Sequence, residues 1–444
     1  MRKVLGLAYV CIVCAWVFSM KAYAAEATYE DSQIEAEGFK NQKALTDDNI
    51  NTFDKALEGN RITVFREDGI GAVYIKFDRI PSEWTLKDSA SDKEIICGKN
   101  GFLHEYVDVK ALFETTPTEL VLTFEEGTSI ADVYVFSEGE MPTFVQKWEV
   151  PCKAADLLLI SSHSDDEQLF FLGLLPYYAG ELGMQVQVAY VVQHFEANGV
   201  LNHQRPHEQL DGLWTVGVRN YPVMSDFPDL YAKSKDRNVA FSEAEKVYEK
   251  AGISYDDFVE YMTDCIRRFK PYVIVSHDLN GEYGHGTHVM AAKALTEAIG
   301  YSGDETKYEE SAKEYGVWNI EKLYLHLYEE NKIVMDYDKP LDNFDGKTAY
   351  EVSCEGFGCH KSQHWTWFYK WIYGSETNPI KKASEIKTYS PCKFGLYYTS
   401  VGEDARGGDF FENVKTRRER FNDMIEELTK QLVNAVGSTL RGVF

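Results

Sequence analysis

Ser161-Ser162-His163-Ser164-Asp165-Asp166-Glu167 follows directly on the apolar run Leu157-Leu158-Leu159-Ile160, so one imidazole and three carboxylates arrive at a single strand end. A second apolar run, Tyr272-Val273-Ile274-Val275, leads through Gly281-Glu282-Tyr283-Gly284 to His285 and His288. Borderline divalent metals such as zinc bind imidazole and carboxylate, and a catalytic site keeps about three protein ligands and one open position. His163, Asp166 and His288 supply such a set. A helix beginning just after the first run would favour ionised carboxylates in its first turn, which makes Asp165 the candidate general base. Taken singly, an Asp-Asp-Glu run is ordinary helix capping and a His-x-x-His pair is usually incidental. Two separate runs that both end in metal-type side chains are harder to explain by capping alone.

The elements that must position these residues are strands. In open parallel α/β sheets, ligands bind at the carboxyl ends of the strands, where both clusters fall. From about residue 150 to the end at 444, strand-like stretches alternate with helical ones: Leu157 to Ser161, a helix from about Gln168, Val186 to Val192, Tyr272 to Ser276, a helix from about His288 to Ile299, and Leu323 to Leu327. This alternation predicts βαβ units and a Rossmann-like α/β domain with a mostly parallel sheet. Residues 26–145 read differently. Val73, Ile75 and Phe77 alternate with Tyr74 and Lys76, and short β-rich runs at 120–124 and 133–136 are bounded by Gly, Pro and acidic residues, which predicts a smaller β-sandwich. A linker is expected near residues 137–152. Residues 302–315 are polar and predict a solvated loop or exposed helix, whereas Phe421, Ile425, Leu428, Leu432 and Val436 recur at helical spacing and predict a helix docked on the core.

These motifs resemble the PIG-L/LmbE family of zinc-dependent N-deacetylases, whose first motif is Ala-His-Pro-Asp-Asp-Glu and whose later motif is His-Pro-Asp-His. Arg205-Pro206-His207-Glu208, Phe227-Pro228-Asp229, His360-Lys361-Ser362-Gln363 and Asp409-Phe410-Phe411-Glu412-Asn413 extend the likeness over roughly residues 150–436. The resemblance implies Zn2+ or another divalent metal on His163, Asp166 and His288, with Asp165 as base. It assigns His285 and Tyr283 to the oxyanion or the leaving amine, and Arg205 and Gln363 to substrate hydroxyls. The implied activity is removal of an N-acetyl group from an N-acetylglucosamine-containing sugar or glycoconjugate. Two departures stand out. Ser164 replaces the family proline, which should loosen the turn that aims Asp165 and Asp166. Gly286-Thr287 replaces Pro-Asp, which should remove an acceptor that orients a ligand histidine. Leu45-Thr46-Asp47-Asp48-Asn49 with Thr52 is similar to the opening of galactose-binding-like jelly rolls.

Arg2 and Lys3, the apolar stretch from Val4 to Met20 and Ala22-Tyr23-Ala24 match a secretory signal peptide over residues 1–24, so a secreted or periplasmic protein is expected, with no stable membrane span after its removal. The 46 basic and 71 acidic residues give a formal charge of −25, which argues against nucleic acid as a partner and favours neutral or amino sugars. Six cysteines follow the leader. In an oxidising compartment Cys354 and Cys359 are the nearest candidates for a disulfide, and the same residues with His360 and His364 fit no familiar zinc module. Gly346-Lys347-Thr348 fails as a phosphate loop because Leu341 stands where the first glycine belongs. Two other readings stay open: a different amide hydrolase on the same site, and a non-catalytic secreted carbohydrate-binding protein.

Overall fold

The structure is a computed structural model that describes residues 25–441, apart from 92 and 198, with side chains as far as 434. The expected leader, 1–24, lies outside the described residues. Two antiparallel sheets come first. One runs in the order Gln33–Glu37, Arg61–Phe65, Glu119–Thr123, Trp84–Asp88, Glu94–Cys97; the other in the order Asp54–Lys55, Ser129–Phe136, Ala72–Phe77, His104–Asp108. Strand side chains alternate between faces. Ile62, Val64, Leu86, Leu120 and Leu122 from the first sheet therefore meet Val73, Ile75, Val133 and Val135 from the second in one core. Tyr74, Tyr134 and Phe136 point the other way and pack with Phe144 and Val145, so the segment expected to be a linker is itself packed down.

The second sheet system has seven strands in the order Val223–Met224, Val186–Tyr190, Leu157–Ser161, Val273–Ser276, Lys322–His326, Lys393–Thr399, Lys332–Val334. The first five are mutually parallel, and Lys393–Thr399 runs antiparallel to both its neighbours, Lys322–His326 and Lys332–Val334. Numbered by sequence, the parallel part reads 3-2-1-4-5, so the strand order reverses between Leu157–Ser161 and Val273–Ser276. That reversal is the switch point where α/β sheets open a crevice. Leu158, Ile160 and Ile274 pack on one face against Phe258, Met262, Met290 and Leu295 of helices Tyr255–Phe269 and Gly286–Tyr301. Leu157, Leu159, Val273 and Val275 pack on the other against Phe170, Phe171, Leu210 and Leu213, in a core continuous with that of the β-sandwich.

Three expectations need correction. The helix expected from Gln168 is one turn, Asp166–Leu169, followed by a wide π-helical turn at Pro176–Glu181. Gly173, at φ +89°, breaks the path, and a Cβ there would sit 2.3 Å from the Tyr337 ring. The C-terminal helix forms, Arg417–Arg441, but its apolar stripe is not docked where its side chains are described: Phe421 is 57% and Leu432 65% exposed, and Val436 lies outside the described side chains. Its base is tied down, by Arg417 N–H to Asp156 Oδ1 (2.6 Å) and Arg420 to Glu321 (2.7 Å). Helical periodicity reports that one face is apolar, not what covers it. The third correction concerns the cysteines, all six of which are free. Cys354 and Cys359 share helix Ala349–Cys359, where a five-residue spacing turns their side chains about 140° apart. No described helix is long and apolar enough to cross a membrane.

Candidate metal centre

The sharp turn after strand Leu157–Ser161 puts Asp165 at φ 116°, a left-handed backbone unusual for a residue with a side chain. Hydrogen bonds hold it there. Glu167 Oε2 accepts from the Asp165 N–H (2.9 Å), Asp166 Oδ2 from the His163 N–H (2.8 Å), and His194 Nε2 from the Ser164 N–H (2.9 Å). This last bond corrects the expectation that Ser164 loosens the turn, because proline has no N–H to donate. Ser164 pins the loop to a buried histidine at the end of the neighbouring strand.

His163, Asp166 and His288 converge. His163 Nδ1, Asp166 Oδ2 and His288 Nε2 form a triangle with sides of 3.1, 3.2 and 3.3 Å. Tetrahedral ligands about 2.0–2.1 Å from a cation stand about 3.3–3.4 Å from one another, so the triangle fits such an ion almost without movement. Two more histidines come close: His285 with His163 and His288, and His277 with Asp166 and His288. His277 Nε2, however, accepts from the Ser162 N–H (2.8 Å), which uses the lone pair a metal would need.

Helix Gly286–Tyr301 carries His288. Gly286 lets its first turn approach helix Arg237–Lys250, where a Cβ would lie 2.7 Å from Ala244. Thr287 faces Tyr248 (3.3 Å), away from the cluster. The expected loss of an orienting acceptor does not follow, because Glu282 provides one. Its Oε2 accepts from His288 Nδ1 (2.7 Å) and His277 Nδ1 (2.8 Å), and its Oε1 from His326 Nδ1 (2.7 Å). Glu282 is fully buried, and against the opposing cost of burial His277, His288 and His326 hold its carboxyl well below the usual range. Donation from Nδ1 fixes the His288 tautomer that aims Nε2 at the cluster. On the far side of His163, Nε2 lies 3.4 Å from Asp229 Oδ1.

Burial acts differently on each group. It pushes the Asp165 carboxyl up to about 7, against the pull of Arg205. Asp166 is held well below its ordinary value because His288 and His163 outweigh its burial. His288 is raised to about 10 by Asp166 and Glu282, again against burial. Burial, with His163 and His288 nearby, keeps His285 neutral, and burial beside several carboxylates keeps the Tyr283 hydroxyl protonated. Arg205 donates to Asp229 Oδ2 (3.0 Å) and the Ser164 carbonyl (3.1 Å) and lies 3.4 Å from Asp165, so most of its guanidinium is spent on this framework.

A cavity of about 660 Å³ opens over the cluster; His163, Asp165, Asp166, Arg205, Tyr283, His285 and Gln363 all line it, while His288 lies beneath. A cavity of about 900 Å³ lies where the β-sandwich meets the second sheet, beside Lys76, Gln146, Asp211 and Trp214, and holds none of the cluster. Sequence reasoning gave no role to Glu282, His194 or His277. Each follows a strand that ends at the crevice, the one signal that pointed to them.

Fold and cluster together define a Rossmann-like α/β protein with a His/Asp constellation suited to a divalent cation at its switch point. Residues 158–299 match the PIG-L family model, described as GlcNAc-PI de-N-acetylase, and the chain carries a PIG-L domain. Over 184 residues it is 28% identical to a 1D-myo-inositol 2-acetamido-2-deoxy-alpha-D-glucopyranoside deacetylase 2 of Saccharopolyspora erythraea, covering 38% of this chain and 63% of that one. A protein of the same activity name from Nocardiopsis dassonvillei is 25% identical, with 38% and 61% covered. The chain thus spans less than two thirds of these relatives' length. Among solved structures, an N,N'-diacetylchitobiose deacetylase from Pyrococcus horikoshii aligns with a TM-score of 0.36 and 15% identity, over 55% of this chain and 85% of that one.

Proposed function

We propose that this protein is a metal-dependent N-deacetylase that hydrolyses the acetamide of an N-acetylglucosamine-containing sugar or glycoconjugate. The observation that carries the reading is the His163–Asp166–His288 triangle with a buried carboxyl, Asp165, beside it. His163 Nδ1, Asp166 Oδ2 and His288 Nε2 would hold the cation, with zinc the first candidate. A cation there supplies a Lewis acid that acidifies water and polarises a carbonyl. In its ionised form Asp165 takes the proton from the water that adds to the acetyl carbon and passes it to the amine nitrogen as the C–N bond breaks. Arg205 keeps that carboxylate in place. The neutral His285 ring and the protonated Tyr283 hydroxyl donate to the carbonyl oxygen as its charge grows. Gln363, on the cavity wall, contacts sugar hydroxyls.

The leader-like residues 1–24 support a secreted or periplasmic location, with Ala25 as the first residue of the mature chain. Sequencing the amino terminus of protein recovered outside the cytoplasm tests this. The function is tested by metal analysis of purified protein together with acetate release from a panel of N-acetylated sugars. About one equivalent of metal and acetate from at least one N-acetylglucosamine substrate are expected; metal-free protein that neither takes up zinc nor releases acetate overturns the reading.

A further inference from the structure

Helix Thr366–Tyr373 buries Phe368 and Ile372 yet leaves two large indoles, Trp365 and Trp367, 52% and 53% exposed on the wall of the cavity. Their rings are parallel within 8°, with centroids 5.8 Å apart. They continue a line of aromatic contacts that begins at the cluster: Tyr283 to Phe368 (5.9 Å), Phe368 to Trp367 (5.6 Å), Trp367 to Trp365. Packing explains Phe368, not the two tryptophans. Hydrogen-bonding groups share the same cavity. Among the described residues, Asn202 Oδ1 accepts from the Gln204 and Arg205 N–H groups while its amide N–H groups have no acceptor, and Gln363 donates to Ser362 Oγ (2.9 Å) while its amide oxygen has no donor.

Flat aromatic faces interleaved with uncommitted amides match one chemistry well. The C–H face of a pyranose lies on the ring while its equatorial hydroxyls reach the amides. An acyl chain would leave the amides unpaired. The cavity is also too large for one sugar. An N-acetylhexosamine, about fifteen non-hydrogen atoms at protein-like packing density, fills about 250 Å³, against a cavity of about 660 Å³.

We infer that Trp365 and Trp367 form a stacking platform for further pyranose units of a glycan whose N-acetylated unit lies at the Asp165 end of the cavity. The substrate is then an oligosaccharide rather than a monosaccharide. Which unit lies innermost rests on the deacetylase reading; the platform itself is tested by binding. The full chain carrying Asp165→Asn is titrated calorimetrically with N-acetylglucosamine, N,N'-diacetylchitobiose, N,N',N''-triacetylchitotriose and octyl glucoside. Affinity is expected to rise about tenfold or more from mono- to trisaccharide, as one or two aromatic contacts would give. Trp367→Ala and Trp365→Ala should each remove much of that gain, and Trp367→Phe should restore part of it. The platform is overturned if affinity does not rise with length, if the gain survives both alanine variants, or if octyl glucoside alone shows the tryptophan-dependent gain. Acetate release by the unaltered protein separates the two readings. Tryptophan-dependent glycan binding without acetate release ends the deacetylase reading and leaves the platform; acetate release without length dependence does the reverse.

Discussion

Glu282 Oε2 lies 2.7 Å from His288 Nδ1, and the same carboxylate binds His277 and His326, so one buried anion orients three imidazoles. Helix Gly286–Tyr301 brings His288 to it from one strand connection, and strand Lys322–His326 brings His326 from another. Glu282→Gln keeps the shape and removes the charge. Metal affinity should fall by about 10- to 100-fold, the usual effect of losing a partner behind a ligand. Competition with a chromogenic chelator measures it, and an unchanged affinity would show that Glu282 does not orient His288.

Asp165→Asn should retain fold and metal content, since asparagine tolerates the left-handed backbone at this position. The turnover number should drop by about 10²- to 10⁴-fold. On the proposed mechanism the ionised form of Asp165 is the active one, so activity in the unaltered protein should rise with pH. A bound cation adds to Arg205 in favouring that form, which places the midpoint of the acid limb at or below about 7. Persistence of the limb in the variant would point to another group.

His288, raised to about 10, carries a proton at neutral pH in metal-free protein, held by Asp166 and Glu282 against burial. Its pKa is higher folded than unfolded. The stabilisation this proton gives the metal-free fold is therefore complete below about 6.5 and is lost as pH rises through about 10. A cation must displace the same proton. Metal affinity should then increase with pH across this interval, and titrations in buffers of different ionisation enthalpy should show about one proton released per ion. Binding at pH 8 without proton release would contradict the assignment.

Ser164→Pro recreates the residue found in the family motif and deletes the N–H donor to His194. Leaving that buried acceptor unpaired should cost about 1–3 kcal/mol, read from the midpoint of denaturant unfolding. A neutral or stabilising result would mean that the turn does not depend on this bond.

The candidate centre was legible in the chain because its proposed ligands and base come from two short segments near strand ends. Leu157–Ser161 and Val273–Ser276 are apolar runs that announce buried parallel strands; His163, Asp165 and Asp166 follow the first within a few residues, and His288 stands in the first turn of the helix after the second. The β-rich rhythm of residues 33–136 was equally visible, since alternation follows directly from the pleat.

Partners across space were not. Nothing in the spacing says that Glu282, rather than a residue between the two histidines, would accept from His288, or that His194 would meet Ser164; both depend on how separate connections fold over the crevice. The exposed stripe of helix Arg417–Arg441 and the unpaired Cys354 and Cys359 teach the same point, because amphipathic spacing and cysteine proximity describe a segment without its neighbours. The sequence by itself determined the donor atoms and the strands that carry them, since both are local properties of residue type and period. The tertiary structure alone decided which lone pairs stay available, which carboxylate orients which imidazole, and that two distant tryptophans share the cavity, because these depend on contacts between segments the chain order keeps far apart.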